Sequence, residues 1–430
     1  MADLARIRNE ELARILHQLA WSPERLAREV NLVLPPGLAI SQTAPYKWRD
    51  RGMVPRAPHD QAVCEVLSRA VGIAVTYEQL WGRMGSQRGA KVLSARLLTD
   101  PWTADTAQIA LREAGLQVAP VRLTDLFRGD ELARSALQWS APPPPVTGGT
   151  GALAVTEEQV ADLRRSCQGK RRLAGSCGGG LVLEPARAEL AMVGKLLELG
   201  DYAARPELGR RLYAVAGRLA RLVGWAGADL GQEAAAQRAY VAALRAAHVA
   251  GEPALAVSVV GSLAVQLAYH GSGRGLDPAE LLATALAAAE ANLTPSQLAR
   301  QLGRLALAHA RNGDRAAAER AAAQAFAVLP ADGDRAGLAG LVGGARLFLD
   351  EPEQARPLLA EAVAGVATAR ARALLLVRLA ESHRRAGDRE QADEAVRRAR
   401  ALAAGMQSGL VARVLRELEG ARPAGSGRAR

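Results

Sequence analysis

Apolar positions recur three and four residues apart along most of the chain, the spacing that gathers them on one face of a helix. Leu4, Ile7, Leu12, Ile15, Leu16 and Leu19 make one such face over residues 4–21. Residues 22–34 (SPERLAREVNLVL) carry Leu26, Val30 and Val33, with Ser22 as the N-cap and Pro23 at the first helical position, where its missing donor costs nothing. Pro35-Pro36-Gly37 cannot continue a helix and must turn. A further short helix is predicted within residues 41–55 (SQTAPYKWRDRGMVP), capped by Ser41 and anchored inward by Trp48. Val63, Val66 and Leu67 mark a helix over 60–71, and a short one covers 76–80 before Trp81-Gly82. Two short helices about a breaker, supported by the others, make a helix-turn-helix bundle.

The pattern then weakens. Between residues 85 and 129 lie a helical piece at 104–114, an apolar run at 116–121 and another helical piece at 123–127. Trp102 and Trp139 read as packing residues, because no basic stretch interleaves with them. Residues 141–153 hold four consecutive prolines, Pro142 to Pro145, and then a Thr-Gly-Gly-Thr-Gly stretch, which reads as a linker, stiff and then flexible. Helix resumes over 156–173, and residues 175–180 (GSCGGG) break it. A glycine cluster can cradle phosphate, but neither a preceding strand nor the following lysine of a P-loop is present, so the cluster reads as a connector. Lys170-Arg171-Arg172 reads as a solvated face, with a phosphate contact as the minority reading.

From residue 185 to 418 the helical pattern is continuous and repeats. Gly313, Asp350 and Gly387 are 37 residues apart, as are Ala318, Ala355 and Ala392, and again Ala325, Ala362 and Ala399. Gly231, Ala236, Tyr240 and Ala243 fit an earlier unit, and residues 271–275 (GSGRG) are the insertion that slips the phase. Each unit reads as two helices about a tight turn, with small residues where the second helix meets its neighbours. Stacked hairpins leave a concave groove lined by the first helix of each pair, including 298–310 and 374–384. Gln301, Arg304, His309, Arg378, Glu381 and His383 are the polar groove candidates, and the two histidines, in different repeats, show no metal-pair spacing. The expected fold is therefore all-α: a helix-turn-helix domain at 1–84, an intermediate region of uncertain fold at 85–140, a Pro/Gly linker at 141–153, an α-solenoid at 154–420 and a disordered tail at 421–430.

Composition narrows the chemistry. Among 430 residues the net charge is +11, almost wholly from arginine, since the lysines are Lys47, Lys91, Lys170 and Lys195. That balance favours anionic partners without localising them. Cys64, Cys167 and Cys177 are too few and too scattered for a disulfide framework or a zinc site; Cys64 reads as core, and Cys167 with Cys177 as inert rather than as a redox switch. No apolar run of about eighteen residues and no signal-peptide layout occurs, so a cytoplasmic location without membrane contact is expected. No HExxH, Walker loop, GxSxG or suitably placed carboxylate pair is present, and the expectation is a protein that is not an enzyme, with no cofactor and no metal.

The residues projecting from 41–56 suit nucleic acid. Gln42 can pair in bidentate fashion with adenine, Thr43 offers a hydroxyl and a methyl, and Lys47 can reach guanine acceptors or a phosphate. Tyr46 and Arg49 are predicted to project outward too, and Arg49, Arg51 and Arg56 to meet phosphates. Lys47, Arg49, Arg51 and Arg56 against Asp50 give this stretch a charge of +3. Ser41 completes the candidate DNA-binding set. The competing reading is a charged helical bundle that touches nothing.

Residues 4–82 resemble the DNA-binding domain of the XRE (Cro/C1-type) regulators, in which a Ser-capped recognition helix runs to Trp and Gly and then Pro. The landmarks here are Ser41, Trp48, Gly52 and Pro55. Pro45, within the first turns, and the extra residue in Arg49-Asp50-Arg51 depart from the pattern. Aligned on Trp48, the family's base-contacting positions fall on Gln42, Thr43 and Lys47. The repeats resemble the tetratricopeptide repeat, matched best by Gly313, Ala318, Ala325 and Pro330. The whole chain resembles regulators of GC-rich bacteria that join the two, through TAPYKWRDRG at 43–52, RLARLVGWAGADLG at 218–231 and AYVAALRAAHVAG at 239–251. The resemblance implies a transcriptional regulator that binds double-stranded DNA as a homodimer and takes a peptide, small molecule or protein signal in its repeats. The competing expectation is a cytoplasmic interaction scaffold whose N-terminal domain does not bind DNA.

Overall fold

The computed structural model describes residues 9–19, 21–34, 37–56, 59–71, 75, 80–81, 97–116, 127, 129–146, 148–270 and 277–420. The chain forms two compact units, Met1–Ala95 and Arg96–Arg430. The first holds α1 (Glu10–Gln18), α2 (Pro23–Val33), α3 (Ala44–Arg51) and α4 (His59–Val71). Asn9 caps α1 by accepting from the Leu12 amide at 2.9 Å, and Ser22 caps α2 by accepting from Arg25, with Pro23 in its first turn. The predicted stripes meet in one core of Leu12, Ile15, Leu16, Leu26, Val30, Val63 and Leu67, where Trp48 and Trp81 pack edge to face at 5.7 Å. Residues 4–8 of the first predicted helix, the Pro35-Pro36 turn and residues 76–79 of the last lie outside the described residues.

The second unit is an all-α helical repeat. It contains α5 (Ala104–Leu116), α6 (Gly129–Leu137), α7 (Glu157–Cys177), α8 (Leu183–Leu199), α9 (Pro206–Asp229) and α10 (Glu233–Ala250). There follow α11 (Pro253–His270), α12 (Pro278–Ala289), α13 (Pro295–Arg311), α14 (Arg315–Val328), α15 (Arg335–Phe348), α16 (Pro352–Gly365), α17 (Ala369–Arg385), α18 (Arg389–Ala403) and α19 (Gly409–Gly420). A two-residue parallel bridge joins β1 (Leu153–Ala154) to β2 (Gly200–Asp201). From α9 to α18 the helices stack as hairpins, α9 with α10 through α17 with α18.

The three columns of the repeat have a physical meaning. Gly313, Asp350 and Gly387 occupy the hairpin turns with φ of +79°, +58° and +83°. Ala325, Ala362 and Ala399 are each fully buried at the helix crossing, where a longer side chain would push the helices apart. The insertion read at 271–275, the apolar and helical runs expected over 117–126 and the tail at 421–430 lie outside the described residues.

Three expectations are corrected. Helix α7 does not break at Gly175 but runs to Cys177 and ends at Gly178, φ +89°. Gly175 faces Thr368, where a Cβ would come within 2.8 Å of its methyl, so close packing outweighs the helical cost of glycine. Residues 141–153 are not a linker between domains. Val146 is buried in the main core, a Cβ on Gly148 or Gly149 would meet Ala203 or the Glu198 carbonyl at 2.6 Å, and the Thr150 amide donates to that carbonyl at 2.9 Å. Residues 97–116 and 129–140 belong to the repeat unit, with α5 packed on α8 and α10. Arg245, 1% exposed, fastens them: Nε and Nη2 donate to the Leu97 carbonyl at 3.1 and 2.7 Å, Nη2 to Asp100 at 2.8 Å and Nη1 to Pro101 at 3.0 Å. Its guanidinium lies 5.1 Å over Trp102, and Trp139 is buried nearby, so both tryptophans pack as read.

The helical stack closes into a ring. Helix α17 meets α7 and α19 meets α9. Asp229, at the end of α9 and fully buried, accepts from Arg370 Nε and Nη2 at 2.9 and 2.5 Å, from Ser408 Oγ at 2.7 Å and from the Gly179 amide at 2.7 Å. The Gly180 amide donates to the Gln407 carbonyl at 2.9 Å, and the Gln407 amide to Cys177 at 2.7 Å. A Cβ on Gly178 would stand 2.5 Å from that Gln407 oxygen. The glycine cluster is thus the seat on which the last hairpin docks.

Candidate nucleic-acid interface and ligand groove

Helix α3 begins at Ala44, not after Ser41. A cap at Ser41 would place Pro45 where the first helical N–H is needed, and proline has none. Pro45 instead takes the second helical position, Thr43 is the N-cap without a side-chain cap bond, and the Ser41 carbonyl accepts from Ala44 at 3.0 Å to form a turn. Ser41 Oγ and Thr43 Oγ1 are 3.1 Å apart. Asn31 fixes the approach: its amide brackets Ile40, donating to the carbonyl at 3.0 Å and accepting from the N–H at 2.8 Å. Gly52, at φ +66°, ends the helix.

The eight candidates divide. Ser41, Gln42, Thr43, Lys47, Arg51 and Arg56 are exposed. Tyr46 and Arg49 do not project freely as predicted. The Tyr46 hydroxyl donates to Glu24 Oε1 at 2.5 Å, tying α3 to α2; that bond holds the Glu24 carboxyl below its ordinary range and pushes the phenol up. Arg49 pairs with Asp50 at 2.6 Å and stacks 5.1 Å over Tyr46, which satisfies its fork within the domain. Periodicity assigned both residues to the outer face; the carboxylates that engage them were invisible to it. Asp50 neutralises Arg49, so Lys47, Arg51 and Arg56 supply the positive field.

In the repeat unit a cleft of about 1340 Å³ is bounded by Tyr269, Leu341, Phe348, Arg378, Glu381 and Arg413. Of the groove candidates it gathers Arg378 and Glu381, which are paired at 3.0 Å, with Arg378 stacked 4.7 Å over Tyr269. His383 is held instead by Asp388 at 3.2 Å, and Gln301 is buried against α11 beside Arg304, away from the cleft. His309 is half-buried in the last turn of α13. Tyr269 escaped the sequence reading because it stands just before the insertion, where the repeat loses phase. Arg413, paired with Glu233 at 3.6 Å, enters only because the ring closes. Cys167 and Cys177 sit on α7 ten residues apart, so about 15 Å of helix separates them, too far for a disulfide. Burial pushes the Cys167 and Cys64 thiols up.

No helix among the described residues is long and apolar enough to cross a membrane. No curated protein matches the chain. Over 64% of this chain and 96% of the other, the structure is similar to BtubC (BKLC) from P. vanneervenii, at 21% identity and a TM-score of 0.32, a likeness too loose to bear on function. Residues 12–81, which span the helical core around Trp48 and Trp81, match the family described as the SP15 N-terminal domain.

Proposed function

We propose that the chain is a sequence-specific DNA-binding transcriptional regulator of the XRE type, whose tetratricopeptide-like repeats take a signal and whose DNA-binding form is a cytoplasmic homodimer. The exposed set of Gln42 and Thr43, just before α3, and Lys47, in its first turn, flanked by Arg51 and Arg56, carries the reading. Recognition helices present their N-terminal residues to base edges, and α3 is held rigidly for this by Trp48, Asn31 and the Tyr46–Glu24 bond. In a dimer two such helices would read half-sites about 34 Å apart. A signal then needs to supply only ~1–3 kcal/mol of coupling to change occupancy severalfold or more.

The test is genome-wide immunoprecipitation of the tagged protein beside an equally expressed Gln42→Ala/Lys47→Ala variant. Discrete peaks that share an inverted repeat and vanish in the variant are expected. On the operator so found, Arg56→Gln should lower the dependence of log affinity on log salt by about one unit per site. The second reading, an interaction scaffold, draws support from Arg49, whose engagement by Asp50 leaves fewer free cations than the resemblance implies. It anticipates no enrichment on DNA and no change in the variant.

A further inference from the structure

The cleft lined by α15, α17 and α19 has a direction. Its floor is one face of α17, where Ala371, Leu374 and Leu375 come first and Arg378, Glu381 and Arg385 follow. Helix α15 runs alongside in the same sense: Leu375 packs on Gly340, where a Cβ would come within 2.7 Å of its methyl, and further along Arg385 Nη1 donates to the Leu347 carbonyl at 3.0 Å. Helix α19 supplies another wall, with Gly409 beside Asp229 and the Leu418 carbonyl accepting from Arg384. From Ala371 to Arg385 the floor runs about 20 Å, apolar at the start and charged toward the end.

The apolar lining is left half-covered. Tyr269, Leu341 and Phe348 pack on the cluster around Leu307, and Leu374, Leu375 and Val414 on a separate cluster around Leu376, each only partly buried. The charges are mostly matched: Arg385 is held by Glu381 at 2.5 Å and Asp350 at 3.0 Å, Arg413 by Glu233 at 3.6 Å, and Arg370 by the buried Asp229. Arg378 is the exception. It stacks 4.7 Å over Tyr269 and its Nη1 donates to Glu381 at 3.0 Å, but its Nε and Nη2 have no hydrogen-bond partner among the described residues, and the side chain is 26% exposed. Those two nitrogens form one edge of the guanidinium, the edge that takes both oxygens of a carboxylate.

We propose that this cleft binds an amphiphilic carboxylate, with its anionic head on the open edge of Arg378 and a hydrocarbon body over Leu374, Leu375 and Leu341. A single negative charge suits a wall in which one guanidinium edge is left open. A peptide fits less well. Among the described residues no Asn, Gln, Ser or Thr lines the cleft, so backbone N–H and C=O groups laid over the leucines would lose water without gaining partners. The site deepens the regulator reading by naming the chemistry of the signal, and rests on that reading only for the word signal.

The full chain is titrated with sodium decanoate, below its micellar range, by calorimetry at constant ionic strength. Wild type should bind it saturably, should bind octanoate about tenfold more weakly for the loss of two buried methylenes, and should not bind decyltrimethylammonium, which carries the same body with the opposite charge. Arg378→Gln should weaken decanoate binding about tenfold or more. Leu374→Glu sets a carboxylate one turn before Arg378 at a half-buried position; it should weaken binding as much, and it carries the test if Arg378→Gln fails to fold. Arg397→Ala, outside the cleft, should bind as wild type does. No saturable binding by wild type, equal affinity for decyltrimethylammonium, undiminished binding by the variants, or displacement of decanoate by a short acetylated peptide of Leu and Glu would overturn the site. A protein that takes decanoate but enriches no DNA overturns the regulator reading alone; the converse overturns this site alone.

Discussion

His248 shows how burial sets the chemistry of one residue. It is 6% exposed, its Nδ1 lies 3.2 Å from the Trp139 carbonyl, and its ring meets Trp102 edge to face at 5.7 Å. Burial depresses its pKa below the ordinary value of 6.5, the bond to Trp139 opposes this, and the Arg245 charge adds to the depression. The unfolded chain therefore binds the proton more readily than the folded one. Stability is fully present above about pH 6.5 and is lost as pH falls through the depressed value, with a slope of at most about 1.4 kcal/mol per pH unit. Urea midpoints at about pH 7 and about pH 5.5 are expected to fall further apart in wild type than in His248→Gln. An equal drop in both would assign the acid sensitivity to other groups. None of this was legible in the sequence, where His248 is one more residue in an alanine-rich helix; its neighbours come from a segment more than a hundred residues earlier.

Helices and turns were legible where their determinants are local. Ser22 and Pro23 announced α2, and the 37-residue columns announced the hairpins, because a turn needs positive φ and a helix crossing needs a small side chain wherever the segment sits. Asp350 is the informative member. It holds φ +58° where the other two turns use glycine, and its carboxylate accepts from Arg385 Nη1 at 3.0 Å. Asp and Asn tolerate this region and β-branched residues do not. Asp350→Asn should therefore leave the urea midpoint within about 0.5 kcal/mol of wild type, whereas Asp350→Val should cost about 1–2 kcal/mol. Equal losses would place the contribution in the exposed Arg385 pair instead of the backbone. The packing of residues 97–116 was illegible for the opposite reason. Arg245 binds three backbone carbonyls there, and carbonyls leave no mark on a sequence. The same holds for the recognition segment: Gln42, Thr43 and Lys47 were placed correctly at the surface, but the pairing of Tyr46 with Glu24 and of Arg49 with Asp50 needed coordinates.

Ring closure governs the repeat unit as a whole, and it depends on a buried carboxylate. A stack of hairpins opens and closes through its neighbour contacts alone, but here Asp229 at the end of α9 receives Arg370, Ser408 and Gly179 together. Arg370 is also stacked 4.6 Å over Trp225, so the latch joins an ion pair to an aromatic face. Asp229→Asn keeps the size of the side chain but removes the charge and turns an N–H toward a donor, leaving Arg370 uncompensated. Breaking one member of a buried pair costs about 3–5 kcal/mol. Because the hairpins between remain packed, the loss should appear as opening of the ring rather than as unfolding of each helix. Amide exchange at Gly179, Gly180 and Gln407, whose N–H groups bridge the closure, is expected to accelerate while the amides of α13 to α16 keep their protection. Arg397→Ala, which removes only an exposed pair with Glu394, should change neither. If Asp229→Asn leaves the closure amides as slow as in wild type, the docking of Gln407 on the glycine seat holds the ring by itself.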